Sequence, residues 1–456
     1  VIIGAARQGL ALSRYLTVEG AQVTLNDRQS EAALVDARRS LADLPVEWVL
    51  GDHPSTLLKN ADLVCISGGV PSDLPIVQEA RRRAIPVSND TQIFMEACPC
   101  RVIGITGSAG KTTTTTLVGR MAQFAADAGG NGAPAHVWVG GNIGLPLIGF
   151  VKEMRPRDLV VMEVSSFQLE LTRISPQIAA ILNITPNHLD RHGTMEAYTA
   201  AKANLLTYQT PDEWAILGAD DQGAWSLRDR VNGHLVAFGM NKVANARACT
   251  YLKGNELVLV DGFNETVLMP RSSIALRGDH NVLNVLAACA VSYASGLPVE
   301  AMQLGVEGFG GVPHRLEFVR RWKDADWYND SIATTPERTL AAIRSYEEPL
   351  VLMLGGRDKK LPWEDLAKLI HDRVDHVVIF GEAAEKICKA IGSASSERRP
   401  YSIDICHNLK DAVQAAANRV SAGDVVLLSP GGTSFDEFKD FEDRGENFRL
   451  WVQQLQ

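Results

Sequence analysis

The chain has no apolar stretch approaching the ~20 residues that a bilayer span requires, and no charged start followed by a short apolar core. Membrane insertion and a secretory signal are therefore not expected. Basic excess is also missing: 45 Lys and Arg stand against 54 Asp and Glu, a net charge of −9. A nucleic-acid surface needs clustered positive charge, so no nucleic-acid partner is expected, and Arg81-Arg82-Arg83 reads as a solvated helix face. Cysteine is sparse and scattered, seven in all, with Cys98-Pro99-Cys100 the only close pair; without a second pair it is a weak zinc signal. Free thiols in a reducing, cytoplasmic setting fit this usage. No short repeat or low-complexity tract occurs. The chain begins at Val1 inside a strand-like run, so a few native residues are expected to precede it.

What is present is a long globular sequence. At 456 residues it exceeds what one hydrophobic core usually supports, and its 46% hydrophobic content can fill several. Three blocks are expected. In the first, residues 1–91, apolar runs at 1–3, 23–25 and 63–66 alternate with helical patterns such as 10–18, a βαβ arrangement. Gly4-Ala5-Ala6-Arg7-Gln8-Gly9, with Asp27 after the second strand, resembles a dinucleotide fingerprint whose middle glycine has become Ala6. That glycine lets the backbone approach a pyrophosphate, so another nucleotide-like ligand is favoured over a hydride-transfer cofactor. The second block, 92–311, has non-alternating apolar runs at 159–162, 178–182 and 215–217, as in a parallel sheet covered on both faces. The third, 312–456, has strands at 350–354, 377–380 and 425–428 between helices at 363–370 and 409–420. Gly308-Phe309-Gly310-Gly311-Val312-Pro313 is the expected hinge. The predicted fold is α/β with three domains: a Rossmann-like N-terminal domain, a central P-loop mononucleotide-binding domain with a parallel sheet, and a Rossmann-like C-terminal domain.

Thr106-Gly107-Ser108-Ala109-Gly110-Lys111-Thr112 follows the apolar run 102–105 and opens a helical segment. Successive N–H groups of such a loop and the positive end of the following helix bind phosphate oxygens, a Lys reaches the terminal phosphates, and a Thr hydroxyl ligates magnesium. The usual leading glycine is displaced, Ile105 standing in its place and Gly107 two residues on. Five threonines, 112–116, build a helix poorly because β-branched side chains lose rotamer freedom there, so the first of them, Thr112 and Thr113, are assigned to a ligand. Glu163 leaves a buried strand beside this loop and can hold magnesium through oxygen; a helix N-terminal acid is the alternative. The loop Asn183-Ile184-Thr185-Pro186-Asn187-His188-Leu189-Asp190-Arg191-His192-Gly193 can serve a second cation or be a satisfied loop. Both readings stand.

In order along the chain, residues 107–112, Glu163-Val164-Ser165-Ser166-Phe167-Gln168-Leu169, residues 183–190, Gly278-Asp279-His280-Asn281-Val282-Leu283-Asn284, Pro313-His314-Arg315 and Asn329-Asp330-Ser331 resemble the Mur ligases. The resemblance covers essentially the whole chain. Residues 429–445 are similar to the members that add D-glutamate, and no Asp-Asn-Pro-Arg-type signature of the diamino-acid-adding member is present. The resemblance implies ATP-dependent joining of D-glutamate to UDP-N-acetylmuramoyl-L-alanine through an acyl phosphate in peptidoglycan precursor synthesis, by a cytoplasmic monomer using two magnesium ions. It implies Gly107, Ser108, Ala109, Gly110, Lys111, Thr112 and Thr113 at the ATP phosphates, with Asn281 and Asn284 near adenine, Arg315 near phosphate and Asp330 on ribose. Thr112 and Glu163 would share one magnesium. His188 would ligate the other, supported by a carbamylated Lys202. Arg7, Gln8, Asp27, Ser67, Gly69 and Asn142 would hold the uridine diphosphate end, and Thr334, Lys359, Ser434 and Phe441 the glutamate. Read without the family, Asn281 and Asn284 suit helix capping, Lys359 a solvated charge run with Lys360, and Lys202 a solvated helix face.

One departure stands out. The D-glutamate enzymes carry Asn-Asp-Ser-Lys-Ala-Thr, whereas Asn329-Asp330-Ser331-Ile332-Ala333-Thr334 lacks the lysine. A charge near the reacting groups must be absent or come from elsewhere, and glutamate stereochemistry stays open. Addition of another amino acid such as L-glutamate, a non-catalytic nucleotide switch and a nicotinamide-dependent dehydrogenase are the alternatives.

Overall fold

The computed structural model describes all residues except 131, 145, 277, 360 and 394–397, and leaves the side chain of Asp190 undescribed. Lys360, part of the expected charge run, therefore lies outside the described residues. The chain divides into two compact units, Val1–Phe309 and Gly310–Gln456, within the expected hinge.

The first unit contains two sheets. A five-stranded parallel sheet is built from β1 (Ile2–Ile3), β2 (Thr24–Asp27), β3 (Glu47–Leu50), β4 (Val64–Ile66) and β5 (Val87–Ser88), in the order β3-β2-β1-β4-β5. The turn after β1 requires glycine twice. Gly4 has φ +102°, and a Cβ on Gly9 would run into the Gly4 carbonyl, so only glycine lets the helix Arg7–Val18 sit this close to the strand end.

The second sheet has β6 (Arg101–Thr106), β7 (Val137–Gly141), β8 (Leu159–Glu163), β9 (Ile178–Ile181), β10 (Trp214–Gly218), β11 (His234–Gly239), β12 (Ala248–Lys253), β13 (Glu256–Asp261) and β14 (Asn264–Pro270). Their order is β14-β13-β12-β11-β10-β9-β6-β8-β7. β6 thus lies between β8 and β9, and its carboxyl end points the loop 107–110 into the crevice where open α/β sheets take ligands. The expectation of a parallel sheet needs correction at one edge, because β12, β13 and β14 pair antiparallel. Pairing of Lys253 with Glu256 and of Asp261 with Asn264 leaves the two-residue turns Gly254-Asn255 and Gly262-Phe263, whose glycines have φ +60° and +59°. Such turns match the twist of adjacent strands and force them antiparallel.

Helix Lys111–Ala128 contains all five threonines, so tertiary packing overrides their poor propensity. Leu117, Val118, Met121, Ala122 and Ala125 form its buried stripe against the sheet and helix Asp279–Ala294. Burial of each large aliphatic chain contributes roughly 1.5–3 kcal/mol, enough to outweigh threonine's deficit of a few tenths.

The second unit has β15 (Glu317–Trp322), β16 (Ala325–Asn329), β17 (Leu350–Gly355), β18 (His376–Phe380), β19 (Ser402–Cys406) and β20 (Val425–Gly431), ordered β15-β16-β20-β17-β18-β19. All neighbours are parallel except β15 with β16. The carboxyl ends of adjacent β16, β20 and β17 release the segments carrying Asp330 and Thr334, Ser434, and Lys359. Arg444, on helix Phe441–Gln453, ties the first two of these segments together although its side chain is fully buried and has no carboxylate within ion-pair distance among the described residues. Its Nε donates to Ser331 Oγ (2.9 Å), Nη2 to the Ser331 carbonyl (2.8 Å) and Nη1 to the Gly432 carbonyl (3.1 Å). Burial lowers the guanidinium to about 10, which still leaves it charged at neutral pH.

Removing this fork strands several buried polar groups, each costing about 1–3 kcal/mol. Arg444→Ala should therefore lower the unfolding free energy of the second unit by about 3 kcal/mol or more, measured by urea unfolding. Arg444→Lys should recover less than half, because one ammonium cannot span the same acceptors.

Candidate active site

The loop between β6 and helix Lys111–Ala128 is held in place by the segment after β9. Ser108 N–H donates to the Asn183 carbonyl (3.0 Å), Ala109 N–H to Asn183 Oδ1 (2.8 Å), and Asn183 Nδ2 back to the Ala109 carbonyl (3.2 Å). Ser108 Oγ bonds the Thr185 carbonyl (2.9 Å) and lies 3.0 Å from the Tyr198 hydroxyl. Gly110 has φ +79°, and a Cβ there would run into Asn284 Oδ1. Asn284 is therefore packed against the phosphate loop, while its Nδ2 donates to Asn281 Oδ1 (3.1 Å). Their helix begins at Asp279, with Gly278 at the cap position, so neither asparagine is the cap that the sequence reading allowed.

Two lysines converge on one carbonyl. Lys111 Nζ donates to Gly107 O at 2.8 Å and Lys202 Nζ to the same oxygen at 2.9 Å, with Thr106 Oγ1 at 3.3 Å from Lys202. The solvated reading of Lys202 is overturned, because the residue is 1% exposed and stands 4.8 Å from the Tyr198 ring centroid. Burial, then the Lys111 charge, lowers its amine to about 7, opposed by the Glu163 carboxylate. At neutral pH a large share of this amine is unprotonated and nucleophilic.

Glu163 ends β8, nearly fully buried. Thr112 Oγ1 donates to its Oε2 (2.7 Å) and Asn142 Nδ2 to its Oε1 (2.8 Å). A carboxylate and a hydroxyl at a phosphate loop are hard oxygen donors, and this pair fits a divalent cation that keeps several waters. Glu163 is not a helix N-terminal acid, since the next helix starts at Ser166 and is capped by Ser165 and Gln168. Thr113 is half-buried on the same first turn; Thr114 and Thr115 turn inward, their hydroxyls without hydrogen-bond partners.

His188 is exposed, has φ +54°, and its ring lies 5.1 Å from that of Phe167. The other histidine of this loop is structural. His192 stacks on Phe167 at 5.1 Å and 4°, with Nε2 2.9 Å from Ser166 Oγ and Nδ1 3.0 Å from Glu170. Among the described residues no cluster of three or more His, Cys, Asp or Glu side chains forms a metal cage. Cys98 and Cys100, with sulfurs 3.5 Å apart, are free thiols, as are the other five cysteines.

The first-sheet candidates separate into two groups. Gln8 reaches the Gly141 carbonyl (3.4 Å) at the end of β7 in the second sheet, where the next residue, Asn142, meets Glu163. Asp27 instead accepts from Ala5 N–H (2.8 Å) and Gln29 N–H (2.9 Å), bracing the turn after β1. Ser67 donates to the Gly4 carbonyl (3.0 Å); Arg7 and Gly69 are an exposed side chain and a half-open turn nearby.

In the second unit Asp330 is buried, accepts from Ser429 Oγ (2.8 Å) and Leu316 N–H (3.3 Å), and is raised to about 7 by burial. Arg315, in the turn 312–315, directly precedes the Leu316 that contacts Asp330. Lys359 Nζ reaches Thr334 Oγ1 (3.4 Å), Ser434 is buried, and the Phe441 carbonyl accepts from Ser331 Oγ (2.8 Å). Asn183 and Arg444 are organising residues whose contacts no local pattern announces.

A phosphate-binding loop on a parallel sheet beside a carboxylate–hydroxyl pair defines a nucleotide-dependent enzyme core. Three family models match this chain: the Mur ligase MurD-like N-terminal domain at residues 1–89, the Mur ligase middle domain at 105–292, and the Mur ligase glutamate ligase domain at 314–432. Proteins named UDP-N-acetylmuramoylalanine--D-glutamate ligase are similar over its full length. The one from Symbiobacterium thermophilum is 37% identical, covering 100% of this chain and 97% of its own, and that from Koribacter versatilis is 38% identical with the same coverage. Among solved structures, Acinetobacter baumannii MurF aligns with TM-score 0.55 at 17% identity over 96% of this chain and 92% of its own. Thermotoga maritima UDP-N-acetylmuramate-alanine ligase aligns with TM-score 0.52 at 19% identity over 99% and 98%. These two bear on the fold alone. The chain belongs to the Mur ligase family.

Gly110→Ala should weaken ATP binding about tenfold or more, from left-handed strain of ~1–2 kcal/mol plus the collision with Asn284. Gly110→Ala combined with Asn284→Ala should bind better than Gly110→Ala alone, because the collision is relieved while the strain remains. Calorimetric titration checks this; a double variant no better than the single one would show that the collision is not the obstacle.

Proposed function

We propose that this chain joins D-glutamate to UDP-N-acetylmuramoyl-L-alanine at the expense of ATP, forming an amide bond in peptidoglycan precursor synthesis. The observation that carries the reading is the Thr112–Glu163 pair at a phosphate loop, in a chain similar from end to end to named D-glutamate ligases. The work divides over residues 1–91 for the muramyl nucleotide, 92–311 for ATP and 312–456 for the amino acid, in line with the family matches. With the muramyl nucleotide, ATP and the amino acid each given a domain within one chain, the enzyme acts as a monomer. Seven free thiols support a cytoplasmic setting.

A carboxylate is a poor electrophile, so the terminal alanine carboxylate first takes the γ-phosphoryl group of ATP and becomes an acyl phosphate. The loop 107–110 and the N-terminal end of helix Lys111–Ala128 receive the phosphates, with Thr113 on the adjoining turn, and Lys111 exchanges Gly107 O for the transferring oxygens. Two magnesium ions, held by Thr112 with Glu163 and by His188 with Lys202, would neutralise phosphoryl charge when bound. Asn281 and Asn284 border the nucleotide, with Arg315 serving phosphate and Asp330 ribose. Arg7, Gln8, Asp27, Ser67, Gly69 and Asn142 orient the uridine diphosphate end. The glutamate amine attacks the acyl carbon, the tetrahedral intermediate collapses, and phosphate leaves. Thr334, Lys359, Ser434 and Phe441 hold the amino acid for that attack, Lys359 against a carboxylate.

Lys202 carries the sharpest chemical consequence. A carbamate forms from carbon dioxide and an unprotonated amine; an ordinary lysine at about 10.4 has fewer than about one amine in a thousand in that form at neutral pH. Lowering of the Lys202 amine to about 7 removes this obstacle, and the resulting anion suits a hard metal where an ammonium would repel it.

The decisive assay measures ADP release with UDP-N-acetylmuramoyl-L-alanine and D-glutamate, L-glutamate, L-lysine or L-alanine. D-Glutamate alone should support turnover; release without any amino acid, or preference for L-lysine or L-alanine, would overturn the reading. Lys202→Ala should be nearly inactive and partly restored by short-chain carboxylic acids that fill the vacated space. In the unmodified protein, labelled bicarbonate should give a carbamate carbon resonance that Lys202→Ala lacks, and a fully active Lys202→Ala enzyme would sink this role.

A further inference from the structure

The loop that lacks the family's lysine at Ile332 is not without a cation. Helix Pro336–Ile343 follows it directly, and the exposed Arg338 on its first turn folds back so that Nη1 donates to the Ile332 carbonyl at 3.1 Å. This is the only hydrogen bond of that guanidinium among the described residues, so the rest of its fork is available to a ligand.

A second cation meets the same segment two residues on. Lys359 Nζ contacts Thr334 Oγ1 at 3.4 Å, and neither Lys359 nor Arg338 has a carboxylate within ion-pair distance among the described residues. Partial burial, then the Arg338 charge, lowers the Lys359 amine, so the two cations sense each other across the segment bearing Thr334. Asp330, the acid preceding Ile332 by two positions, cannot neutralise them fully, because burial raises it to about 7 and its oxygens are engaged by Ser429 and Leu316. Arg338 and Lys359 contact the same short segment, at Ile332 O and Thr334 Oγ1, and the repulsion between their like charges is a cost that an incoming dianion would reverse. A dicarboxylic amino acid brings two carboxylates, and a guanidinium fork matches one of them in bidentate geometry.

We propose that Arg338 is the second cation of the amino-acid subsite: with Lys359 and Thr334 it forms a dicarboxylate-binding set that takes over the charge missing at Ile332. Arg338 is then a specificity-determining residue, holding one glutamate carboxylate while Lys359 holds the other. The inference rests on the ligase reading above.

Arg338→Ala, Arg338→Lys and Arg338→Glu, compared with the unsubstituted enzyme in steady-state ADP release, test it. Because Arg338 is exposed, all three should melt within a few degrees of the parent. Arg338→Ala should raise the KM for D-glutamate at least tenfold while the KM values for ATP and the muramyl nucleotide change less than twofold. Arg338→Glu should raise the amino-acid KM further, and Arg338→Lys should restore part of the loss. A glutamate KM unchanged within twofold in both Arg338→Ala and Arg338→Glu overturns the inference and leaves the ligase reading intact. Equal movement of all three KM values overturns it as well, since that marks a general structural effect. If the parent enzyme ligates no dicarboxylic amino acid, the ligase reading falls and this inference with it.

Discussion

The phosphate loop depends on a single carbonyl. Gly107 O accepts from both Lys111 and Lys202, which places two ammonium groups within a few ångströms of each other and of the Glu163 carboxylate. Burial makes Lys202 resist protonation, and Lys111 is held by a bond that a phosphate oxygen can replace. Every other feature of the loop serves to keep this arrangement rigid. Asn183 fixes Ser108 and Ala109 from one side, Asn284 meets Gly110 from another, and Thr112 is tied to Glu163.

The second unit solves a similar problem with different residues. Three neighbouring parallel strands release polar segments at one edge, and backbone segments with so many exposed N–H and C=O groups would wander without a tether. Arg444 tethers two of them, at Ser331 and Gly432, with no carboxylate within ion-pair distance among the described residues. Charge left over is useful where the ligand is an anion, since hydrogen bonds to an ionised donor are stronger and the field survives burial. The Lys359 and Arg338 pair continues the same theme at the exposed end of the site.

Much of the α/β organisation is visible in local pattern. Strands β8, β9, β10, β17, β18 and β20 coincide with uninterrupted apolar runs, because a strand buried on both faces needs apolar residues at every position. The boundary between the two units is visible for the converse reason, glycine and proline punctuating the end of a core. The hairpins β12 to β14 escaped that reading although Gly254-Asn255 and Gly262-Phe263 were legible turn signals, and five threonines looked less helical than they are.

The sequence by itself determined the loop 107–112, the acid at the end of β8, the boundary between the two units and the missing lysine at Ile332, because each is a matter of residue type at short spacing. Only the tertiary structure decided that Lys202 is buried, that Asn284 borders Gly110, that Asn142 belongs with Glu163, and that Arg444 and Arg338 serve the segments around Ser331 and Ile332. Burial and pairing are set by which strand ends adjoin, and the crossings that bring distant segments to one sheet edge leave no mark in the residues they join.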